Sequence, residues 1–189
     1  MVDEEKTILD AIRQARLKAD AERAAAGDIL LPVMTTRSGE ELARESAGAV
    51  GLAVDVRPSY AQKGGGPVPL IIDLESFIRQ HGPAGWQLLE SALASWAVKK
   101  AADSVWCRIV AWVREVQNRS PDGASLQVLA VDKEGHSRNY KVPSKERLEP
   151  AITQLPLDLD TPGVPGERLW VDGQWMPSGE YFRRLGNPE

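Results

Sequence analysis

The sequence predicts an α+β protein in which helices pack on a small antiparallel sheet, with an arm at each end. Three observations predict it. Apolar residues recur at helical spacing over residues 3–26 and 84–102. Short β-branched runs bounded by turn residues alternate with these stretches. A Pro/Gly-rich tract at 151–167 separates a final Trp-bearing segment from everything before it. The expected organisation is an N-terminal helical arm (1–27), an α+β core (28–150), and a linker with a C-terminal hairpin arm (151–189).

Residues 3–26 lack Gly and Pro and are rich in Ala, Glu, Lys and Arg, so they read as a helix. Ile8, Ile12, Ala15 and Ala19 form a narrow apolar stripe surrounded by charge. Residues 28–36 read as a strand with Pro32 at an edge or bend. Ser38 and Glu41 have capping-box spacing for a helix that exits at Gly48. A strand follows and ends before Pro58; then comes a loop through Gly64, Gly65 and Gly66. "LIID" reads as a strand leading into a helix capped by Asp73 and ending near Gly82. Pro83 opens a second helix, with Trp86, Leu89, Leu93 and Trp96 on one face.

Residues 104–117 fit two periods. Arg108, Ala111 and Arg114 would mark the polar face of a helix, whereas Val105, Cys107, Ile109, Ala111 and Val113 would share one face of a strand. The β-branched and aromatic content favours the strand. With "ASLQVLAVD" and "SRNYKVP" it would make a three-stranded antiparallel meander.

The run from "VWCRIVAW" through "VLAVDKEGHSRNYKVPSKERLEP" resembles the small SH3-like barrels of the Tudor type: an aromatic strand with an Arg, a strand ending in Asp, a tight turn and a Leu-x-Pro tail. The resemblance covers about a quarter of a chain that is of ordinary domain size. It implies a fold for that stretch and no function; the candidates for an aromatic cage would be Trp106, Trp112 and Tyr140.

The C-terminal stretch "RLWVDGQWMP" carries a hairpin signal, because Asp172-Gly173 suits a type I′ turn. Trp170 would then face Trp175, with Leu169 and Met176 paired on the other face. A cross-strand aromatic pair contributes about 0.5–1.5 kcal/mol beyond area burial. A hairpin apolar on both faces must dock, either on its own core or on a partner chain.

Bulk composition narrows the function classes. Of 189 residues, 42% are hydrophobic and 26% charged, which suits a folded chain. The net charge of −4 is spread evenly: residues 1–102 carry 12 basic and 14 acidic side chains, and residues 103–189 carry 11 and 13. Neither half offers the basic footprint of a nucleic-acid binder. A single cysteine, Cys107, forbids an internal disulfide, and with only two histidines argues against a Cys/His zinc site. No apolar run approaches a membrane span, and the first residues are acidic where a signal peptide would be basic. The expectation is a cytoplasmic protein with no membrane partner.

No nucleophile elbow, Walker A motif or cofactor fingerprint occurs, so no cofactor and no small-molecule substrate are expected. Cys107 lies in an apolar run, as inert packing cysteines do. "KGGGP" lacks the following helix that a phosphate loop needs, and His81 and His136 read as surface residues. Asp55, Asp73 and Glu75 sit at strand ends, where acids can hold Mg²⁺ for phosphodiester chemistry, with Lys63 nearby. Asp158 and Asp160 form a second acidic pair. Arg108, Arg114, Arg119, Arg138 and Lys141 would serve a nucleic-acid surface, although residues 103–150 hold 8 basic and 7 acidic groups.

The favoured reading is a non-enzymatic assembly or adaptor subunit that meets a protein partner, or itself, through its two ends. Its contact residues would be Ile8, Ile12, Trp170, Trp175, Met176, Tyr181 and Phe182.

Overall fold

A computed structural model describes residues 30–58, 66–81, 105–132, 134–143, 145–161, 163 and 165–186. In chain order the elements are β1 (Leu31–Thr35), α1 (Arg37–Ala49), β2 (Val54–Pro58), β3 (Val68–Asp73), α2 (Leu74–His81), α3 (Val105–Arg119), β4 (Ala124–Val131), β5 (Ser137–Val142), α4 (Leu148–Asp160), β6 (Gly166–Val171), β7 (Gln174–Pro177) and α5 (Ser178–Gly186). The expected helices over 3–26 and 84–102, with Ile8 and Ile12, lie outside the described residues, as does most of the glycine loop.

The protein is α+β, but its sheet is neither small nor antiparallel. Seven strands form one mixed sheet in the order β2-β1-β3-β4-β5-β6-β7. Its logic is three parallel pairs, β1/β2, β3/β4 and β5/β6, set side by side in alternating direction. Parallel neighbours need a crossover. α1 supplies the first and α4 the third, and the second connection contains α2 and α3. The β6–β7 hairpin closes the row.

Alternation along the strands sends one set of side chains to the core. Val33, Val56, Ile72, Leu126, Val128, Tyr140, Val142 and Trp170 are all buried. The helices answer with Ala43 and Ala47 of α1, Ile109, Trp112, Val113 and Val116 of α3, and Leu148, Ile152, Leu155 and Leu159 of α4. Trp112 Nε1 donates to the carbonyl of Ala43 at 2.9 Å, so its one polar atom costs nothing inside.

Two stretches depart from the sequence expectation. Residues 105–119 are helical, so the meander lacks its first strand; β4 and β5 pair antiparallel, with parallel neighbours β3 and β6 outside them. The buried set Trp106, Ile109, Trp112, Val113 and Val116 steps by three and four, and this stripe outweighs β propensity, which depends on context. Residues 148–160 form α4, which takes up most of the linker expected at 151–167. Pro150 sits in the first turn, where its missing N–H has no partner to lose. Pro156 lies inside the helix and is itself buried, and packing of the apolar stripe offsets the lost hydrogen bond.

Smaller differences have local causes. The N-cap of α1 is Thr36, two residues before Ser38; its hydroxyl accepts from the Gly39 amide at 3.2 Å. β1 is not an edge strand, but its ladder to β3 involves only Val33 and Met34, so Pro32 leaves no gap in it.

Candidate functional site

The C-terminal hairpin turns through Asp172 and Gly173, both at positive φ (50° and 79°), the backbone of a type I′ turn. Trp170 lies opposite Trp175, their ring centroids 5.1 Å apart, edge to face. Tyr140 of β5 approaches Trp175 edge-on at 4.9 Å. Trp175 Nε1 donates to the carbonyl of Ala151 in α4 at 3.2 Å. Trp170 is 3% exposed and Met176 is buried as well. The aromatic face of the hairpin therefore docks on α4 and β5 of its own chain.

What remains outside is on α5, which packs against β6 and β7. Tyr181 is half-buried and stacks edge-on with Phe182 at 5.5 Å. Phe182 and Leu185 are each 61% exposed. Three residues apart, they share one helix face. Sequence reasoning named Tyr181 and Phe182 but missed Leu185; the i, i+3 step was the available signal.

The sheet face away from α1, α3 and α4 carries a groove of about 440 Å³. Pro69 and Ile71 of β3, Ser125 and Gln127 of β4, Lys141 of β5 and Leu169 of β6 line it. Its volume is that of a small-ligand or side-chain pocket. Gln127 Nε2 donates to Asn139 Oδ1 at 2.9 Å, and Lys141 is ion-paired with Glu167. Period-two alternation marks these residues as facing away from the core, but only the strand order brings them together.

Beneath β5 and β6 lies an ionic cluster that the sequence did not disclose. Arg138, 1% exposed, donates to Asp132 Oδ2 at 2.8 Å and to the carbonyls of Asp158 (2.7 Å) and Thr161 (3.0 Å). Asp158 accepts from the Tyr140 hydroxyl at 2.7 Å and from Arg168 Nη1 at 3.0 Å. Two guanidinium groups thus meet two carboxylates, and the last carbonyls of α4 receive positive charge where the helix dipole favours it. Asp132 also organises the turn after β4, its Oδ1 accepting from the amides of Glu134 (3.0 Å) and His136 (2.9 Å). Burial by itself would raise the Asp132 pKa. The His136 amide and the Arg138 charge outweigh that and hold the carboxyl below its ordinary value. Burial, then the charge of Asp158, pushes the Tyr140 phenol well above its usual range.

The remaining sequence candidates do not converge. Asp55 pairs with Arg57 at 2.6 Å, Asp73 caps α2 by accepting from the Ser76 amide at 2.8 Å, and Glu75 pairs with Arg79 at 2.8 Å. Among the described residues, the one trio of potential metal ligands within 4.8 Å of one another is Asp132, Glu134 and His136. Asp132 is there already committed to two amides and to Arg138. The five basic candidates scatter. Arg138 is buried in the cluster, Arg114 and Arg119 pair with Glu149 (3.4 Å) and Glu115 (2.7 Å), and Arg108 bonds the Gly51 carbonyl at 3.2 Å. Lys141 lies on the opposite side of the sheet from α3, in the groove. Comparison of the chain with protein-family models, with curated proteins and with solved structures gives no match.

Proposed function

We propose that the chain is a non-enzymatic assembly or adaptor subunit that binds a partner protein, with α5 as a contact surface. The observation that carries this reading is the pair Phe182 and Leu185. Two large apolar side chains stand open to solvent on one face of a short helix, beside a hairpin whose Trp170 is packed away and whose Trp175 is half-buried. Covering a side chain of this size contributes about 1.5–3 kcal/mol. The sheet groove supports the same reading, since it adds apolar surface along β3 to β6. The N-terminal segment 1–27 is proposed as a second contact, on the strength of its narrow Ile8/Ile12 stripe. The candidate carboxylates support a non-catalytic role, because each is engaged in a local structural bond.

The test is native mass spectrometry of full-length protein purified from its source, beside a Phe182→Asp/Leu185→Asp variant. A partner, or a second copy, should travel with the parent and be lost from the variant, while both unfold at the same denaturant midpoint. Retention of the same partner by the variant would remove α5 from the contact surface. A parent that carries nothing and stays monomeric would refute the assembly reading.

A further inference from the structure

The outer edge of the sheet at β2 is closed by a side chain, and the direction of its hydrogen bonds shows how. The Leu31 amide donates to the Ala53 carbonyl at 3.1 Å, while Leu31 stands opposite Val54. In a parallel ladder this sets the polar groups of Ala53, Asp55 and Arg57 toward β1. Those of Val54 and Val56 therefore point outward, and Pro58 ends the strand with no N–H to offer. Among the described residues β2 has no neighbour on that side. Such an edge is a template for another strand.

Arg44 projects from α1 onto this edge, and its Nη2 donates to the Val56 carbonyl at 3.0 Å. The guanidinium is anchored from behind by Glu40 at 3.5 Å and its side chain is largely covered. A second copy of the chain is the partner that this edge fits by symmetry. A two-fold antiparallel pairing of β2 with β2 would set Val54 opposite Val56 of the other copy, and each Val56 carbonyl would have to accept from the facing Val54 amide. Arg44 occupies that carbonyl. The same symmetry would put Asp55 directly opposite Asp55, a like-charge juxtaposition that opposes pairing and that the Arg57 beside each carboxylate only partly offsets.

We infer that Arg44 and Asp55 are edge guards: together they oppose dimerisation through β2 in the register that sets Val54 opposite Val56 of the other copy. Arg44 occupies the acceptor that this pairing needs, and Asp55, although ion-paired with Arg57 of its own strand, sets two carboxylates against each other at its centre. Within the strand only Val54 and Val56 turn an amide outward, because Pro58 has none.

The experiment is light scattering on the full-length chain, carried out in a Phe182→Asp/Leu185→Asp background so that contacts through α5 do not contribute. Arg44→Leu keeps the apolar stem of the side chain; combined with Asp55→Thr it should double the apparent mass at high micromolar concentration. Arg44→Lys alone keeps a donor near the carbonyl and should remain monomeric. A second readout uses Asp55→Cys in a Cys107→Ser chain. Residues facing each other in a non-hydrogen-bonded pair lie at disulfide distance, so mild oxidation should cross-link the chain when Arg44 is Leu and not when it is Arg. A cooperatively folding Arg44→Leu/Asp55→Thr chain that stays monomeric would overturn the inference. So would cross-linking that is indifferent to residue 44, which also decides the matter should the double variant not fold.

Discussion

Asp132 and Arg138 meet at 2.8 Å with both side chains shut away from solvent, and through Arg138 the turn after β4 is tied to the end of α4. A buried pair of this kind is costly to break from one side, because the remaining charge has nowhere to go. Arg138→Ala should therefore lower unfolding stability by about 3–5 kcal/mol. The pH dependence follows from Asp132, whose carboxyl is held below the ordinary aspartate value of 3.8 in the folded chain. Its contribution is complete above that pH and is lost as the pH falls through the lower folded value. Asp132→Asn should be less stable than the parent at neutral pH, and the difference should shrink below pH 3.8. Urea unfolding at both pH values measures it; a difference that stays constant would mean the carboxylate charge is not what Arg138 uses.

The hairpin gives a second prediction. Trp170 is almost fully enclosed, so Trp170→Ala should cost about 3–5 kcal/mol, as large-to-small changes in cores do. Trp175 is only half-buried, and its hydrogen bond to Ala151 is the separable part. Trp175→Phe keeps a ring against Tyr140 and should cost about 1 kcal/mol, the worth of one hydrogen bond. If Trp170→Ala unfolds at the parental denaturant midpoint, the hairpin is not docked on its own core.

How much of this was legible in the sequence depended on whether a local signal or the chain topology decided each feature. The Asp172-Gly173 turn and the cap at Asp73 rest on residues within a few positions of each other. The structure shows both features where those residues stand. Over 104–117 β-branched and aromatic content points to a strand, and over 151–167 prolines and glycines point to a linker, and both signals run against the helices found there. In both stretches the helical stripe was present, at Trp106-Ile109-Val113-Val116 and Leu148-Ile152-Leu155-Leu159. The Asp132–Arg138–Asp158–Arg168 cluster and the Pro69–Leu169 groove could not be read in advance. Each needs β5 and β6 to lie parallel and adjacent, and no local signal fixes a crossover across α4.

The strand-end carboxylates make a third prediction. Asp73 accepts both from the Ser76 amide at 2.8 Å and from its hydroxyl at 2.6 Å, as an N-cap of α2. Asp73→Ala should cost about 1 kcal/mol of stability, in the range measured for lost caps. Calorimetric titration with Mg²⁺ or Mn²⁺ should give no binding heat with the parent chain. A saturable heat that disappears in Asp73→Ala would restore the metal reading for Asp55, Asp73 and Glu75.

Two glycines of α1 should respond in opposite directions to the same substitution. Gly48 has open space where a Cβ would go, so Gly48→Ala should stabilise the chain by about 0.4–1 kcal/mol through the unfolded state. Gly39 lies in the first turn, over the junction of β1 and β3. A Cβ there would come within 2.5 Å of the Thr35 hydroxyl and 2.6 Å of Val68 Cγ1. Thr35 is fully buried and has no room to retreat, so the side chain forces α1 off the sheet. The helix-propensity gain of about 1 kcal/mol is then set against an overpacking cost of about 1–3 kcal/mol. Net destabilisation is expected, read as a lowered urea midpoint for Gly39→Ala beside a raised one for Gly48→Ala. A rise in both would mean that α1 does not approach β1 and β3 this closely, and that the Thr36 cap does not set where the helix meets the sheet.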